Sequence, residues 1–149
     1  MFKETSKELL DFLSKSPTAF HAVENYRQIL NADGFKELLE SEHWDIVPGG
    51  KYYVTRNNTS ILAFKVGTKL DNYSFNIVTS HTDSPTFKVK ENAEIEVKNK
   101  YTQLNTEGYG GMLCATWLDR PLSIAGRVLV SEGNSIVTKL LNIDRDLLM

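Results

Sequence analysis

Hydrophobic positions near the start of the chain recur at the spacing of an α-helix. The segment Thr5-Ser6-Lys7-Glu8 has the sequence of a capping box, in which a hydroxyl and a carboxylate satisfy free backbone N–H groups. An apolar stripe follows at helical spacing: Leu9, Leu10, Phe12 and Leu13. These features predict a first helix that begins at the capping box.

A second helix is predicted after a proline break. Ser16-Pro17 interrupts the first helix, and Thr18 has a side chain suited to an N-cap. Asp33-Gly34 is typical of a helix C-terminus. Between these signals the pattern keeps helical spacing: Phe20, Val23, Tyr26, Arg27 and Leu30. The segment 35–42 is ambiguous from its sequence.

The middle of the chain carries strand patterns. The turn signal Pro48-Gly49-Gly50 precedes two segments rich in aromatic and β-branched residues, Lys51–Arg56 and Ser60–Val66. Asn57-Asn58-Thr59 suits a hairpin loop between them, because asparagine tolerates positive φ. A further apolar run, Phe75–Ser80, predicts a buried strand.

From about residue 87 onward the pattern changes to strands with one polar face. Lys88-Val89-Lys90 and Glu94–Lys98 alternate polar with apolar residues. Leu122–Val130 and Ser135–Leu141 are two further strand candidates, and the loop 131–134 between them suits a hairpin. We therefore expect a mixed α/β fold followed by the start of a second, β-rich unit.

Composition narrows the class of protein. The 149 residues are 41% hydrophobic and 24% charged, as in an ordinary globular domain or a piece of a larger one. The net charge of −2 gives no electrostatic reason to expect nucleic acid or an anionic membrane as a partner. The sequence has no apolar run of about 18 residues and no signal-peptide pattern at its N-terminus.

Cys114 is the single cysteine and has no internal disulfide partner. Its expected state is a small buried hydrophobe rather than a nucleophile. A lone thiol fits a reducing compartment, so we expect a cytoplasmic protein.

The candidate chemistry lies in Ser80-His81-Thr82-Asp83-Ser84, which follows the predicted buried strand. Residues two apart on an extended strand share a face, so His81 and Asp83 can meet. A metal-bound imidazole usually donates its second N–H to a carboxylate or a carbonyl group, and Asp83 is placed for that role. The alternative is a structural histidine held by a hydrogen bond at a strand end.

Other chemistry-bearing residues have simpler interpretations. His21 is expected to make a packing contact in the second helix, and His43 is expected at the surface. Glu107–Gly111 lacks the Lys-Ser or Lys-Thr of a phosphate loop and indicates a flexible turn or a close backbone approach. Asp119-Arg120 predicts a local ion pair. No Ser-His-Asp triad can be argued from spacing.

Four segments, in order, resemble the M18 family of zinc aminopeptidases, the aspartyl aminopeptidase family. The N-terminal match is Ser16–Val23, and the second runs from Pro48 to Phe64. Ser80–Pro85 resembles the family's first metal-ligand motif. Tyr109-Gly110-Gly111, with Thr116–Leu122 and Ala125–Val128, is similar to the segment that opens its inserted β domain.

The resemblance implies a dinuclear zinc exopeptidase that removes an N-terminal residue, typically acidic, from peptide substrates. It implies an α/β catalytic domain, of which residues 1–90 are the N-terminal part, and an inserted β-rich dimerisation domain that begins in 91–149. Large homo-oligomers are expected. By the same resemblance, His81 is a zinc ligand and Asp83 is the catalytic-site carboxylate that orients it.

The family's remaining ligands and its glutamate pair lie after the inserted domain, and this sequence contains no Glu-Glu pair. The chain therefore resembles roughly the first third of the enzyme, with at most a partial zinc site. We expect the isolated chain to be inactive. The alternatives are a non-catalytic fragment that self-associates through its β segment, or a marginally folded piece with uncovered apolar surface.

Overall fold

The computed structural model describes residues 2–72, 74–143 and 145. Two compact units divide the chain: the first comprises the residues up to 83 together with 123–145, and the second comprises 84–122. The assignment of 1–90 to a catalytic domain and of 91–149 to a dimerisation domain stays a prediction. Of the latter range, residues 144 and 146–149 lie outside the described residues.

The first unit opens with two helices, α1 (Phe2–Ser14) and α2 (Ala19–Ala32). The predicted cap of α2 is confirmed, because the Thr18 side chain accepts a hydrogen bond from the His21 backbone N–H at 3.4 Å. The predicted end of α2 is also confirmed, with Asp33 as the C-cap and Gly34 at a φ of +81°.

The predicted capping box at the start of α1 is wrong. The helix includes Phe2, so Thr5 and Glu8 lie inside it rather than at its first turn. Ser6 Oγ donates a hydrogen bond to the Phe2 carbonyl oxygen at 2.8 Å, one helical turn back. The apparent capping sequence therefore lies within a helix that begins earlier than the pattern indicates.

Three strands form a sheet in the first unit: β1 (Lys36–Glu37), β2 (Lys51–Arg56) and β3 (Ser60–Lys65). Their order is β1-β2-β3, with β1 parallel and β3 antiparallel to β2. The predicted hairpin between β2 and β3 is confirmed. Asn57 and Asn58 turn the chain with φ values of 53° and 55°, in the left-handed region that asparagine tolerates.

The core of the first unit lies between α2 and β2. Among the described residues, the buried hydrophobic side chains come from these two elements alone: Ala22, Val23, Tyr52, Tyr53 and Val54. The Tyr53 hydroxyl donates a hydrogen bond to Asn31 Oδ1 at 3.0 Å, which ties the helix to the sheet. This small core holds the scaffold on which the candidate site is built.

A second hairpin belongs to the first unit, with strands β6 (Ala125–Glu132) and β7 (Ser135–Asn142). The strands pair antiparallel, as predicted, and Gly133 closes the turn at a φ of +61°. The Arg127 guanidinium lies 4.5 Å from the centroid of the Phe20 ring on α2. This cation–π contact attaches the hairpin to the helix.

The second unit is built on the antiparallel pair β4 (Thr86–Val97) and β5 (Tyr101–Tyr109). The two short strands predicted at 88–90 and 94–98 belong to one long strand, and an irregularity between Val89 and Glu94 shifts its register with β5. A short 3-10 helix follows at Cys114–Trp117, and the Trp117 ring packs edge-on against Phe87 at 5.5 Å.

Two further expectations are wrong. Phe75–Ser80 is not a buried strand: it lies outside the sheets formed by the described residues, and its apolar side chains are exposed. A strand is stable only when its backbone groups pair with a neighbour. Cys114, the first residue of the short 3-10 helix, is exposed rather than buried.

No helix among the described residues is both long enough and apolar enough to cross a membrane.

Candidate functional site

The candidate site follows the exposed apolar run and is attached to the sheet at one point. Thr82 Oγ1 donates a hydrogen bond to the Thr59 carbonyl oxygen at 2.6 Å. Thr59 closes the turn immediately before β3. This hydrogen bond fixes the residue between His81 and Asp83 to the turn of the β2–β3 hairpin.

His81 and Asp83 are in contact, as predicted from their spacing. His81 Nδ1 lies 2.7 Å from the Asp83 carbonyl oxygen and 3.3 Å from its carboxylate Oδ1. Both oxygens accept hydrogen bonds, so the proton of a neutral imidazole belongs on Nδ1. The lone pair is then on Nε2, the atom that a metal ion would take.

The imidazole is open to solvent. The side chain of His81 is 78% exposed and that of Asp83 is 43% exposed. The ring of His81 is therefore largely accessible from solvent. The metal-ligand role of His81 and the orienting role of Asp83 stay predictions, since the contact between them is also compatible with a structural histidine.

The sequence pattern pointed to the Asp83 carboxylate and missed the closer acceptor. The shortest contact of His81 Nδ1 is with the backbone carbonyl of Asp83. Every residue carries such a carbonyl group, so no residue type at this position signals it. The backbone carbonyl and the carboxylate of Asp83 thus both contact Nδ1 of His81.

The donor set for a metal ion is incomplete in the part of the chain that the structure describes. No group of three or more histidine, cysteine, aspartate or glutamate side chains converges there. A catalytic zinc ion needs three protein ligands. The described residues therefore fit one ligand and its orienting partner, rather than a whole site.

The other histidines lie apart from this pair. His43 is almost fully exposed, with Nε2 3.7 Å from Asp45 Oδ1, which confirms the expected surface position. His21 Nδ1 lies 2.8 Å from Thr18 Oγ1 at the start of α2, which confirms the expected packing contact. Both positions support structural interpretations.

His21 gives the first unit a predicted dependence on pH. Burial lowers the pKa of His21 from its ordinary value of 6.5. The unfolded chain therefore takes up the proton before the folded chain does. The stabilising effect of a neutral His21 is complete above about pH 6.5 and is lost as the pH falls toward the lowered folded value.

We expect the free energy of unfolding to decrease between about pH 7 and pH 5, and the substitution His21→Gln to remove the histidine part of that decrease. Urea denaturation of the parent chain and of His21→Gln at a series of pH values measures this pH dependence. The matched control is His43→Gln, which removes an imidazole that is 90% exposed. An identical slope in His21→Gln and the parent chain would rule out this linkage.

The remaining candidates, 107–111 and Asp119-Arg120, lie in the second unit. Glu107, Gly108 and Tyr109 belong to β5, so the flexible turn predicted over 107–111 is wrong for these three residues. The chain bends at Gly110 and Gly111, with a φ of +74° at Gly110. The predicted ion pair between Asp119 and Arg120 is wrong. Among the ion pairs of the described residues none joins these two, and Arg120 Nη1 instead donates to the Thr116 carbonyl oxygen at 3.3 Å.

Comparison with known proteins decides the family. The profile described as "Aminopeptidase I zinc metalloprotease (M18)" matches residues 12–149. The chain belongs to the M18 peptidase family. The predicted resemblance is confirmed, and the matched range includes both His81 and Asp83.

M18 relatives match this chain along nearly all of its length. It is 48% identical over 147 residues to the "Probable M18 family aminopeptidase 2" of Clostridium novyi, covering 97% of this chain and 34% of that protein. It is 45% identical over 145 residues to the aspartyl aminopeptidase of Dictyostelium discoideum, covering 96% of this chain and 30% of that protein. The chain spans about a third of the length of these relatives.

Solved M18-like structures share the mixed α/β fold. The structure titled "Cryo-EM structure of the Ape4 and Nbr1 complex" matches with a TM-score of 0.92 and 41% identity, over 97% of this chain and 28% of that one. The structure of the S. cerevisiae mApe1 dodecamer matches with a TM-score of 0.83 and 31% identity, over 96% of this chain and 34% of that one.

Proposed function

We propose that the chain is the N-terminal portion of a zinc-dependent aminopeptidase, to which it contributes one metal ligand, His81. The observation that carries the proposal is the contact of His81 Nδ1 with Asp83, which leaves the lone pair on Nε2 of a largely exposed side chain. Membership of the M18 family, described as zinc metalloproteases, supplies the reaction class.

Asp83 has a positioning role in this proposal. Its carboxylate and carbonyl oxygens accept the Nδ1 proton, fix the tautomer and raise the basicity of Nε2. The hydrogen bond from Thr82 to Thr59 limits movement of the loop that carries both residues. The imidazole is thereby held in place for a metal ion. The described residues alone do not complete the set of ligands for that ion.

Zinc in such sites supplies Lewis acidity and a bound water with a pKa near neutrality. We propose two ions in the complete enzyme, with the further ligands and the general base provided by polypeptide beyond this chain. Among the described residues, no group of three or more histidine, cysteine, aspartate or glutamate side chains includes His81. This chain's own part in the reaction is therefore to hold one imidazole in place.

The proposed substrates are peptides with an acidic N-terminal residue. The support is the aspartyl aminopeptidase of Dictyostelium discoideum, which is 45% identical over the matched region. A cytoplasmic location belongs to the same proposal, because the exposed free thiol of Cys114 is compatible with a reducing compartment.

We expect the purified chain to bind zinc weakly and to show no chelator-sensitive hydrolysis of aspartyl or leucyl peptide substrates, because its described donor set is incomplete. Calorimetric titration with zinc and a chromogenic peptidase assay measure both properties. His81→Ala should remove the weak binding, and His43→Ala should leave it unchanged. Robust, chelator-sensitive peptidase activity of the chain alone would contradict the proposal.

Self-association is a second candidate function. The hairpins β4–β5 and β6–β7 are each two-stranded sheets, so their outer edges are available for pairing. The solved yeast relative is a dodecamer. If this function holds, the mass of the chain in sedimentation experiments rises with concentration in the presence of a chelator. A constant monomeric mass up to about 100 μM would exclude stable self-association.

A further inference from the structure

A cavity lies inside the first unit, between one face of α2 and one face of the β6–β7 hairpin. Its volume is about 390 Å³, at the small end of the range of about 300–1,000 Å³ that is usual for ligand pockets. The helical part of the lining has the spacing i, i+3, i+4 and i+7, which places side chains on one helix face: Phe20, Val23, Glu24 and Arg27.

The hairpin also contributes a single face to this cavity. Arg127 on β6 lies directly opposite Leu140 on β7, and opposite residues of an antiparallel pair share a face. Thr138, two residues before Leu140, is on the same face. All three line the cavity, together with Asn58 from the β2–β3 turn. Arg127 and Thr138 are exposed, so a small molecule can reach the cavity from solvent.

The charges of the lining leave one cation unmatched. Arg27 donates to Glu24 Oε2 at 3.1 Å through Nη1 and to Glu37 Oε2 at 2.9 Å through Nη2. Among the described residues, no ion pair or hydrogen bond involves the Arg127 side chain. Its contact with the Phe20 ring uses the positive charge and supplies no oxygen acceptor. The N–H donors of Arg127 are therefore available to a ligand.

We propose that this cavity binds a small organic monocarboxylate, whose carboxylate accepts hydrogen bonds from Arg127 and whose hydrocarbon body lies against Phe20, Val23 and Leu140. The planar guanidinium group can donate two parallel hydrogen bonds to one carboxylate. The lining holds two arginines and one glutamate, a net charge of +1 that matches a single carboxylate. The proposal requires no metal ion, so it can fail separately from the zinc chemistry proposed above.

Other anions fit the lining less well. Inorganic phosphate can accept hydrogen bonds from Arg127, but it has no hydrocarbon body to place against Val23 and Leu140. An acidic side chain of another polypeptide brings polar backbone groups toward the same apolar walls, and their desolvation is unfavourable. A free carboxylate with an aliphatic body satisfies the arginine and the apolar side chains together.

Titration of the full ¹⁵N-labelled chain with sodium 4-methylpentanoate, followed by nuclear magnetic resonance in the presence of a chelator, tests the proposal. We expect saturable shifts of amides in α2 and the β6–β7 hairpin, with a Kd below about 10 mM. 4-Methylpentanamide lacks the charge, and acetate and inorganic phosphate lack the hydrocarbon body. The capped residue N-acetylglutamate methylamide represents a protein side chain.

Each of these four comparison compounds should bind at least about 10-fold more weakly, because it loses either the charged hydrogen bonds or the apolar contact, or adds polar groups. Absence of saturable shifts up to about 10 mM 4-methylpentanoate would overturn the proposal. Equal affinity for any comparison compound would likewise refute the proposed ligand class.

Substitutions of Arg127 locate the site. Arg127→Gln should weaken the binding of 4-methylpentanoate by at least about 10-fold, because the charged hydrogen bonds are lost. Arg127→Lys keeps a cation beside Phe20 but cannot form two parallel bonds, so we expect an intermediate loss. Arg120→Gln is the control, since it removes the same charge from the second unit.

The amide spectrum verifies that each variant keeps the parent fold. Unchanged affinity in a folded Arg127→Gln chain, or equal weakening by Arg127→Gln and Arg120→Gln, would contradict the site. If Arg127→Gln releases the hairpin from α2, Arg127→Lys decides the matter. Parent affinity in that variant would then rule out the paired hydrogen bonds.

Discussion

Replacing His81 with alanine is expected to lower kcat/KM by more than about 100-fold in a chimera that joins this chain to the remaining two thirds of the Clostridium novyi relative. The imidazole is held through Nδ1 by Asp83, so under the proposed ligand role the substitution removes Nε2 from the metal site. Loss of a positioning partner alone costs about 10- to 100-fold in such sites, and loss of a ligand costs more. Steady-state hydrolysis of an aspartyl peptide substrate at saturating zinc measures the effect.

Asp83→Asn separates positioning from ligation. It keeps the backbone carbonyl 2.7 Å from Nδ1 and removes only the charge of the weaker contact at 3.3 Å. We therefore expect a smaller loss, about 10-fold, toward the lower end of the range for orienting partners. His43→Ala is the control, because that exposed histidine lies outside the site. A loss of less than about 3-fold for His81→Ala would exclude a ligand role.

Replacing Tyr53 with alanine is expected to destabilise the chain by about 3–5 kcal/mol, the usual cost of removing a buried aromatic ring. The residue is 1% exposed and is the largest fully buried side chain of the described residues. It joins β2 to α2, so its loss removes packing on both elements. The free energy of unfolding measured by urea denaturation should fall by this amount, which is a large fraction of the stability of a typical domain.

Tyr53→Phe isolates the hydroxyl, which donates to Asn31 Oδ1 at 3.0 Å and lies 3.4 Å from Glu37 Oε2. We expect a loss of about 1 kcal/mol, the net value of a typical hydrogen bond. Tyr26→Phe on α2 is the control, because the Tyr26 side chain is 37% exposed. A change below about 0.5 kcal/mol for Tyr53→Ala would contradict the position of the core between α2 and β2.

Local sequence signals predicted the elements that local interactions create. The Thr18 cap, the Asp33-Gly34 stop and the Asn57-Asn58 turn depend on one side chain or one φ value each, and all three are present. The β6–β7 hairpin depends on its loop in the same way. Such features need no knowledge of distant contacts, so a single sequence contains them.

Elements that depend on partners far along the chain were not predictable in the same way. The hydrophobicity of Phe75–Ser80 indicated burial, but burial needs neighbouring strands that the described residues do not provide. β5 carries many polar residues, and its strand conformation comes from pairing with β4 along its whole length. Pairing partners, rather than local propensity, decide both cases.

The contact between His81 and Asp83 could be predicted from the sequence, but the complete ligand set of a metal centre could not. The spacing of His81 and Asp83 was sufficient to place their side chains in contact. The role of the Asp83 backbone carbonyl required coordinates, since it carries no residue-type signal. A complete ligand set is absent from the described residues, where no group of three or more metal-binding side chains converges.

The most direct test of the central claim is the zinc content of the chimera, measured by mass spectrometry of the metal after gel filtration, for the parent protein and for His81→Ala. A ligand role predicts that the variant loses one zinc equivalent per chain at matched protein concentration while circular dichroism verifies the fold. Equal zinc content in a folded His81→Ala chimera would show that this imidazole does not bind the metal.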